Sequence, residues 1–321
     1  MQAKITALGT YVPEHIVDNH YFEAIVDTND EWIVSRTGIK TRRFAAENEF
    51  TSHLCIGAAR NLVEENNVTL DDVDFVIVAT VTPDQTMPSV ASQVQDKLGL
   101  RHAGAIDISA ACAGFAYGII LAKGLIAGGT HRKVLVFGAE TLTKFTNYED
   151  RTTCILFGDG AGCVLVEAAP QGNILAAVTG SQGDSGKDLY MSNMRKQING
   201  QDIITDNKIH QNGKAVFKWA VTTVAEQMQV LAERAQLSLD QIDWFIPHSA
   251  NLRIIEALCN QSGFPPEKTL ESITLFGNTS SASIPLALHR GIREGKVKKG
   301  DRLMLIGFGG GLVYAGIVIE W

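Results

Sequence analysis

The sequence predicts an α/β protein assembled from two copies of one unit, and three observations carry that prediction. Glycine, with 30 residues against 8 prolines, punctuates alternating helical and strand-like patterns along the whole chain. "LDDVDFVIV" from Leu70 returns as "LDQIDWFIP" from Leu239, and "VLVFG" from Val134 returns as "LMLIG" from Leu303. Both pairs share one offset, 239 − 70 = 169 and 303 − 134 = 169. A repeated unit of this size reads as a mostly parallel sheet flanked by helices, with the two copies packed about a shared interior. The halves are residues 1–170 and 171–321.

The opening stretch, "MQAKITALGTYVPEH", reads as a first strand and turn. It lacks the basic start, apolar run and small-residue cleavage site of a signal peptide. The helix-like "AARNLVEENNV" precedes the first repeated strand and "MQVLAERAQL" precedes the second. The longest apolar stretch, Phe115 to Ala127, is interrupted by Gly118, Lys123 and Gly124, so it fits a buried helix ended by Gly128 and Gly129 better than a membrane span. Residues 182–214 are polar and glycine-dotted without periodicity, which fits a segment covering a site.

At 321 residues the chain can bury a deep site, and 45% hydrophobic with 20% charged residues is ordinary globular composition. A net charge of −7 argues against nucleic-acid binding. Cys55, Cys112, Cys154, Cys163 and Cys259 form an odd, unclustered set without a CxxC pair, so neither a disulfide framework nor a zinc site is indicated. A reducing cytoplasm is the expected location.

In "DISAACAGFAYGI", Cys112 falls at a strand-to-helix junction. Unsatisfied N–H groups and the dipole there favour a thiolate and can bind an oxyanion. The dipole supplies about 0.3–1 kcal/mol, less than one pKa unit at about 1.36 kcal/mol, so a second group is required. A histidine is the usual one. The other four cysteines lack this setting and read as core. His248 ends "IDWFIPH", at the carboxyl edge of a sheet where side chains face a crevice. Asn278 lies in "LFGNTSSAS", also readable as a turn. By the offset, Cys112 corresponds to Ser281 (281 − 112 = 169) and Ala79 to His248 (248 − 79 = 169). A pseudo-twofold would bring Cys112, His248 and Asn278 into one cavity. "GFGGGL" (Gly307–Leu312) and "GDGAG" (Gly158–Gly162) lack P-loop and GxGxxG spacing and read as tight packing.

Five ordered motifs span nearly the whole chain: "NDEWIVSRTGI" (Asn29–Ile39), "ACAGF" (Ala111–Phe115), "PHSAN" (Pro247–Asn251), "GNTSSASIP" (Gly277–Pro285) and "GFGGG" (Gly307–Gly311). Together they resemble the thiolase-fold condensing enzymes, most closely the beta-ketoacyl-acyl carrier protein synthase III family of initiating synthases. Cys-His-Asn separates the chain from elongating synthases with a second histidine and from thiolases with a second cysteine. Plant-type polyketide synthases share the trio, but "NDEWIVSRTGI" and the short chain favour the initiating synthase. The resemblance implies a thiolase-like fold, two duplicated mixed-sheet halves packed in layers with pseudo-twofold symmetry.

It also implies a reaction. Cys112 takes the acyl group of an acyl-CoA, with the N–H groups of Cys112 and Gly310 as oxyanion hole. Malonyl-acyl carrier protein then binds, His248 and Asn278 stabilise the enolate formed by decarboxylation, and the carbanion attacks the acyl-cysteine. No metal or redox cofactor is implied, coenzyme A entering as part of a substrate. Phe308 is implied beside the malonyl carboxylate. For coenzyme A, Trp32 stacks on adenine and Arg36 and Arg151 address the nucleotide. Gly213, Phe217, Ala250, Asn251 and Ile254 match the wall of the pantetheine tunnel. Arg253, with Lys214 and Lys218 as helpers, matches the docking surface for an acidic carrier protein. "REGKVKKG" (Arg293–Gly300) is instead a solvated turn.

A homodimer is implied, with Met87 bordering the acyl pocket across its interface. Since methionine is flexible, the pocket is expected to take short branched primers as well as acetyl. Ser249 stands where the family usually has glutamine, and "GGGLVYAG" replaces the more usual "GGGFTWG". Thioester hydrolysis, a related CoA-dependent ketide synthase and a silent scaffold are the alternative readings. The scaffold has no need for all three polar residues.

Overall fold

The computed structural model describes residues 1–321. Its first sheet orders the strands Gln2–Tyr11, Asp159–Ala169, Lys133–Thr141, Phe75–Ala79 and Gly104–Ile108. The second orders Trp244–Pro247, Arg302–Gly309, Val313–Glu320 and Ile174–Ser181. The repeat holds in register: Phe75 pairs with Val134 and Trp244 pairs with Leu303, both in parallel. Each of these partners lies 169 residues from its counterpart (244 − 75, 303 − 134).

The sheets are mixed rather than mostly parallel. Only the pairings of Phe75–Ala79 in the first sheet and Trp244–Pro247 in the second are parallel. Burial on both faces produces continuous apolar strands whatever the direction of the neighbour, so composition cannot tell parallel from antiparallel here. "VLVFGA" of Val134–Ala139 is buried throughout.

Two helices fill the space between the sheets, Gly114–Ala127 and Ser283–Arg293, which begin 283 − 114 = 169 residues apart. Phe115, Ile119, Ile284 and Leu288 join Ile77, Val136, Ile246 and Leu305 in one core beneath both sheets. The first helix is apolar around its circumference because sheet covers both its sides. It packs closely through small residues: a Cβ on Gly118 would stand 2.6 Å from Val136. Its lysine, Lys123, ends on the Ile174 carbonyl at 3.0 Å.

Helix Thr51–Asn66 and helix Val90–Lys97 cover the outer face of the first sheet, and helices Gly213–Arg234 and Leu252–Ser262 that of the second. The result is five layers, helix–sheet–helix–sheet–helix. Residues 182–214 form a short 3-10 turn, Gly183–Asp188, and small hairpins, of which Leu189–Met191 pairs with Ile209–Gln211. Strand Gly104–Ile108 has no counterpart in the second half, and its outer edge is unpaired. No helix is long and apolar enough to cross a membrane.

Candidate active site

The two central helices begin in the same way. Ala111 (φ 44°) opens the turn Ala111–Ala113, and Ser280 (φ 48°) opens Ser280–Ala282, 280 − 111 = 169. Left-handed backbone at non-glycine residues is uncommon, and here it directs each chain sharply from loop into helix. The first turn delivers Cys112, which is 8% exposed. Gly307 and Gly309 leave room for it: a Cβ on Gly307 would meet the Cys112 carbonyl at 2.6 Å. Close approach, not phosphate binding, is the use of "GFGGG". "GDGAG" serves likewise, since a Cβ on Gly158 would stand 2.2 Å from the Phe276 carbonyl.

His248 follows strand Trp244–Pro247, its N–H bonded to the Ile306 carbonyl at 2.8 Å. Its Nδ1 lies 2.8 Å from Ser283 Oγ, which also accepts the Ser249 N–H at 3.2 Å. Nδ1 is the only acceptor the Ser283 hydroxyl meets, so Ser283 donates to it and the ring proton resides on Nε2. Asn278 Oδ1 accepts the Ser280 N–H at 2.9 Å, which fixes the amide and leaves Nδ2 as a donor. Its loop is clamped to the first half, with Asn278 N–H on Leu156 O at 2.8 Å and Gly158 N–H on Asn278 O at 3.0 Å.

Cys112, His248 and Asn278 all line one cavity of about 850 Å³, together with Phe308 and Gly310. Phe308 meets the His248 ring edge-on at 5.3 Å between centroids. Leu189–Met191 and Ile209 supply one wall, so the irregular segment 182–214 covers the site. The N–H groups of Cys112 and Gly310 bond to no other residue of the chain. The cavity therefore holds a thiol, two N–H groups without a partner and two neutral side-chain donors, a set of groups that can support acyl transfer and stabilise an enolate.

The ionisation differs from the expected thiolate. Burial pushes the Cys112 thiol up to about 12, against a lowering by the Ser280 hydroxyl, and the negative Glu140 adds to the rise. Burial also pushes His248 down to about 3, only partly offset by the Ser280 backbone. Both groups are therefore neutral, because the dipole contribution is small beside the loss of solvent.

Residues 106–183 match the family described as 3-oxoacyl-acyl-carrier-protein (ACP) synthase III, and residues 232–321 match its C-terminal part. A beta-ketoacyl-acyl-carrier-protein synthase III 2 from Halalkalibacterium halodurans is 52% identical over 321 residues, covering 100% of this chain and 97% of the relative. Its namesake from Bacillus subtilis is 51% identical, covering 100% and 99%. The chain belongs to this synthase III family. The crystal structure of the beta-ketoacyl-acyl-carrier-protein synthase III from Thermus thermophilus superposes with a TM-score of 0.96 at 42% identity, covering 99% of each chain. As a synthase III the protein has the thiolase-like fold and is an acyltransferase, a condensing enzyme of fatty acid biosynthesis.

The remaining residues of this synthase III fall into distinct places. Trp32, Arg36 and Arg151 lie together, the Arg151 guanidinium 4.8 Å and that of Arg36 6.0 Å from the Trp32 ring. Arg151 also bonds the Asp27 carbonyl at 2.9 Å. Asn251 ties this group to the cavity mouth: its Nδ2 bonds the Arg36 carbonyl at 3.1 Å and its neighbour Ala250 lines the cavity. Gly213 and Phe217 are exposed on helix Gly213–Arg234, and Val216 and Gln211 face the cavity there instead. Ile254 is buried in the core beneath helix Leu252–Ser262, because the apolar stripe Ile254, Ile255, Leu258 faces inward. Arg253, Lys214 and Lys218 are exposed on two helices that pack side by side. Met87 is 82% exposed and is not among the residues that line the cavity.

Ser249, the departure from glutamine, is fully buried, and its Oγ accepts the Ser272 N–H at 3.0 Å. The altered "GGGLVYAG" ending puts Tyr314 against the core of the second half. Sequence reasoning missed Ser283 and Glu140. The 169-residue offset was the available signal, since it pairs Ser283 with Gly114 and Glu140 with Gly309 (309 − 140).

Proposed function

We propose that Cys112 accepts a short acyl group from acyl-CoA and passes it to the carbanion of malonyl-acyl carrier protein. The observation that carries this reading is the convergence of a sulfur, Nε2–H of His248 and Nδ2–H of Asn278 on one cavity. Attack of the sulfur places the carbonyl oxygen at the Cys112 and Gly310 N–H groups, and coenzyme A leaves. In the second stage the malonyl carbon–carbon bond breaks, carbon dioxide departs and the electron pair spreads onto the thioester oxygen. A neutral imidazole suits this stage, since it donates a hydrogen bond where charge develops without giving up its proton. The buried Phe308 keeps water from the malonyl carboxylate. The carbanion then attacks the acyl-cysteine, and loss of the sulfur releases 3-oxoacyl-acyl carrier protein. No metal or redox cofactor enters the sequence of steps.

Trp32, Arg36 and Arg151 form the nucleotide end of the coenzyme A path, and Asn251 and Ala250 lead from it to the sulfur. Arg253, Lys214 and Lys218 receive the carrier protein. The working unit is a homodimer in the cytoplasm. The open edge of Gly104–Ile108, with Ile106 42% exposed, supports a symmetric strand pairing, and the exposed Met87 is the residue assigned to the partner's acyl pocket.

The test is turnover of acetyl-CoA and isobutyryl-CoA, with and without malonyl-acyl carrier protein. Release of coenzyme A limited to one equivalent without the malonyl substrate, and continuous with it, is the expected result. Continuous release without it would make the protein a thioester hydrolase, and strict acetyl preference would refute the role given to Met87.

A further inference from the structure

Glu140 ends strand Lys133–Thr141 fully buried, and none of its five hydrogen-bond partners carries a charge. Oε2 accepts Thr80 Oγ1 and the Val81 N–H, both at 3.1 Å, and Thr82 Oγ1 at 2.7 Å. Oε1 receives only the Ser280 hydroxyl at 3.2 Å and that of Ser281 at 3.3 Å. Ser281 has a shorter bond to the Ala79 carbonyl at 3.0 Å, so Oε1 depends on Ser280 and is the oxygen free to take a proton. Ser280 and Cys112 line the same cavity, carried by two turns that pack against each other. Ser280 is thus hydrogen-bonded to Glu140 and neighbours Cys112 in the cavity wall.

We propose that Glu140 takes the Cys112 proton, through Ser280, as the thioester is attacked. This rests on Cys112 being the nucleophile. As the sulfur–carbon bond forms and the carbonyl electron pair moves onto oxygen, the thiol proton passes to Ser280 Oγ and the Ser280 proton passes to Glu140 Oε1. Collapse restores the carbonyl and breaks the bond to coenzyme A. The departing thiolate recovers a proton by the reverse path, and Glu140 is again a carboxylate.

The transfer keeps a single negative charge in a pocket that would otherwise hold a thiolate beside a carboxylate. Burial raises the Glu140 carboxyl to about 7, the range in which a base works at neutral pH, while its hydroxyl and N–H partners oppose that rise. His248, pushed down by burial to about 3, is a poor proton acceptor and remains a hydrogen-bond donor. Glu140 acts electrostatically on the thiols of Cys112, from turn Ala111–Ala113, and Cys55, from helix Thr51–Asn66. His248 lies beyond Ser280, whose backbone it meets.

The experiment is the rate of alkylation of the full-length protein by iodoacetamide as a function of pH, with the adduct located by peptide mass, in wild type, Glu140→Gln, Ser280→Ala and the double variant. Wild type should react at Cys112 with an inflection near pH 7. Each single variant should lose the inflection and react at least about tenfold more slowly, the double variant no more slowly than either, and acylation by acetyl-CoA should fall in step. If Glu140→Gln does not fold, Ser280→Ala decides, because alanine already occupies the equivalent left-handed position at Ala111. Unchanged rates and inflection in the folded variants would overturn the relay. Wild-type alkylation at another cysteine would instead remove Cys112 as nucleophile.

Discussion

A Cβ added to Gly309 would stand 2.8 Å from the Sγ of Cys112, so the last residue of strand Arg302–Gly309 has no side chain because the sulfur occupies that space. The second half of the chain thereby shapes the surroundings of the Cys112 thiol in the first. Gly309→Ala is expected to push the turn Ala111–Ala113 away from its strand, destabilising the protein by about 1–3 kcal/mol as overpacking does. Acyl transfer should fall more than stability does. Thermal unfolding and single-turnover acylation, measured on one preparation, check both.

Ser283 reaches the chemistry only through His248. Ser283→Ala removes the hydroxyl that holds Nδ1 unprotonated and that accepts the Ser249 N–H, at a cost of about 1–3 kcal/mol for the two hydrogen bonds, and leaves the fold intact. Malonyl decarboxylation and condensation should slow by about fivefold to fiftyfold, while acylation of Cys112 by acetyl-CoA keeps its wild-type rate. Equal losses in both stages would show that Ser283 supports the cavity in general and not the imidazole.

The low His248 pKa has a consequence for stability. The folded protein holds the imidazole neutral down to about pH 3, whereas the unfolded chain binds a proton below its ordinary value of 6.5. The unfolded state therefore takes up the extra proton, and stability is lost as pH falls from 6.5 toward 3. Urea midpoints across that range should decline less steeply in His248→Asn than in wild type.

Glu140 works in the opposite direction. Its folded carboxyl is raised from 4.5 to about 7, so the folded state binds the extra proton and stability is lost as pH rises through that interval. Glu140→Gln should flatten this part of the urea profile, and a profile unchanged from wild type would place the Glu140 proton elsewhere.

Much of this was legible in the sequence because the duplication is still written in it. One offset aligned the strands beginning at Phe75 and Trp244 and placed His248 opposite Ala79, so residues far apart in the chain were assigned to one cavity. Strand direction was not legible, since strands buried on both faces look alike in either orientation. The neutral thiol was not legible either. The helix terminus that would lower its pKa is visible in the sequence, but the burial that raises it belongs to the assembled layers. Ser283 and Glu140 were hidden for a related reason: a serine and a glutamate gain their roles here only from partners 35 and 140 residues away.

The central claim is that one buried sulfur carries the acyl group between two substrates, and peptide mapping of the protein after exposure to acetyl-CoA tests it most directly. The account predicts a single acetyl thioester on the peptide containing Cys112, discharged when malonyl-acyl carrier protein is added together with formation of 3-oxoacyl product. An acetyl group on Cys55, Cys154, Cys163 or Cys259, or product formed at full rate by Cys112→Ala, would contradict it.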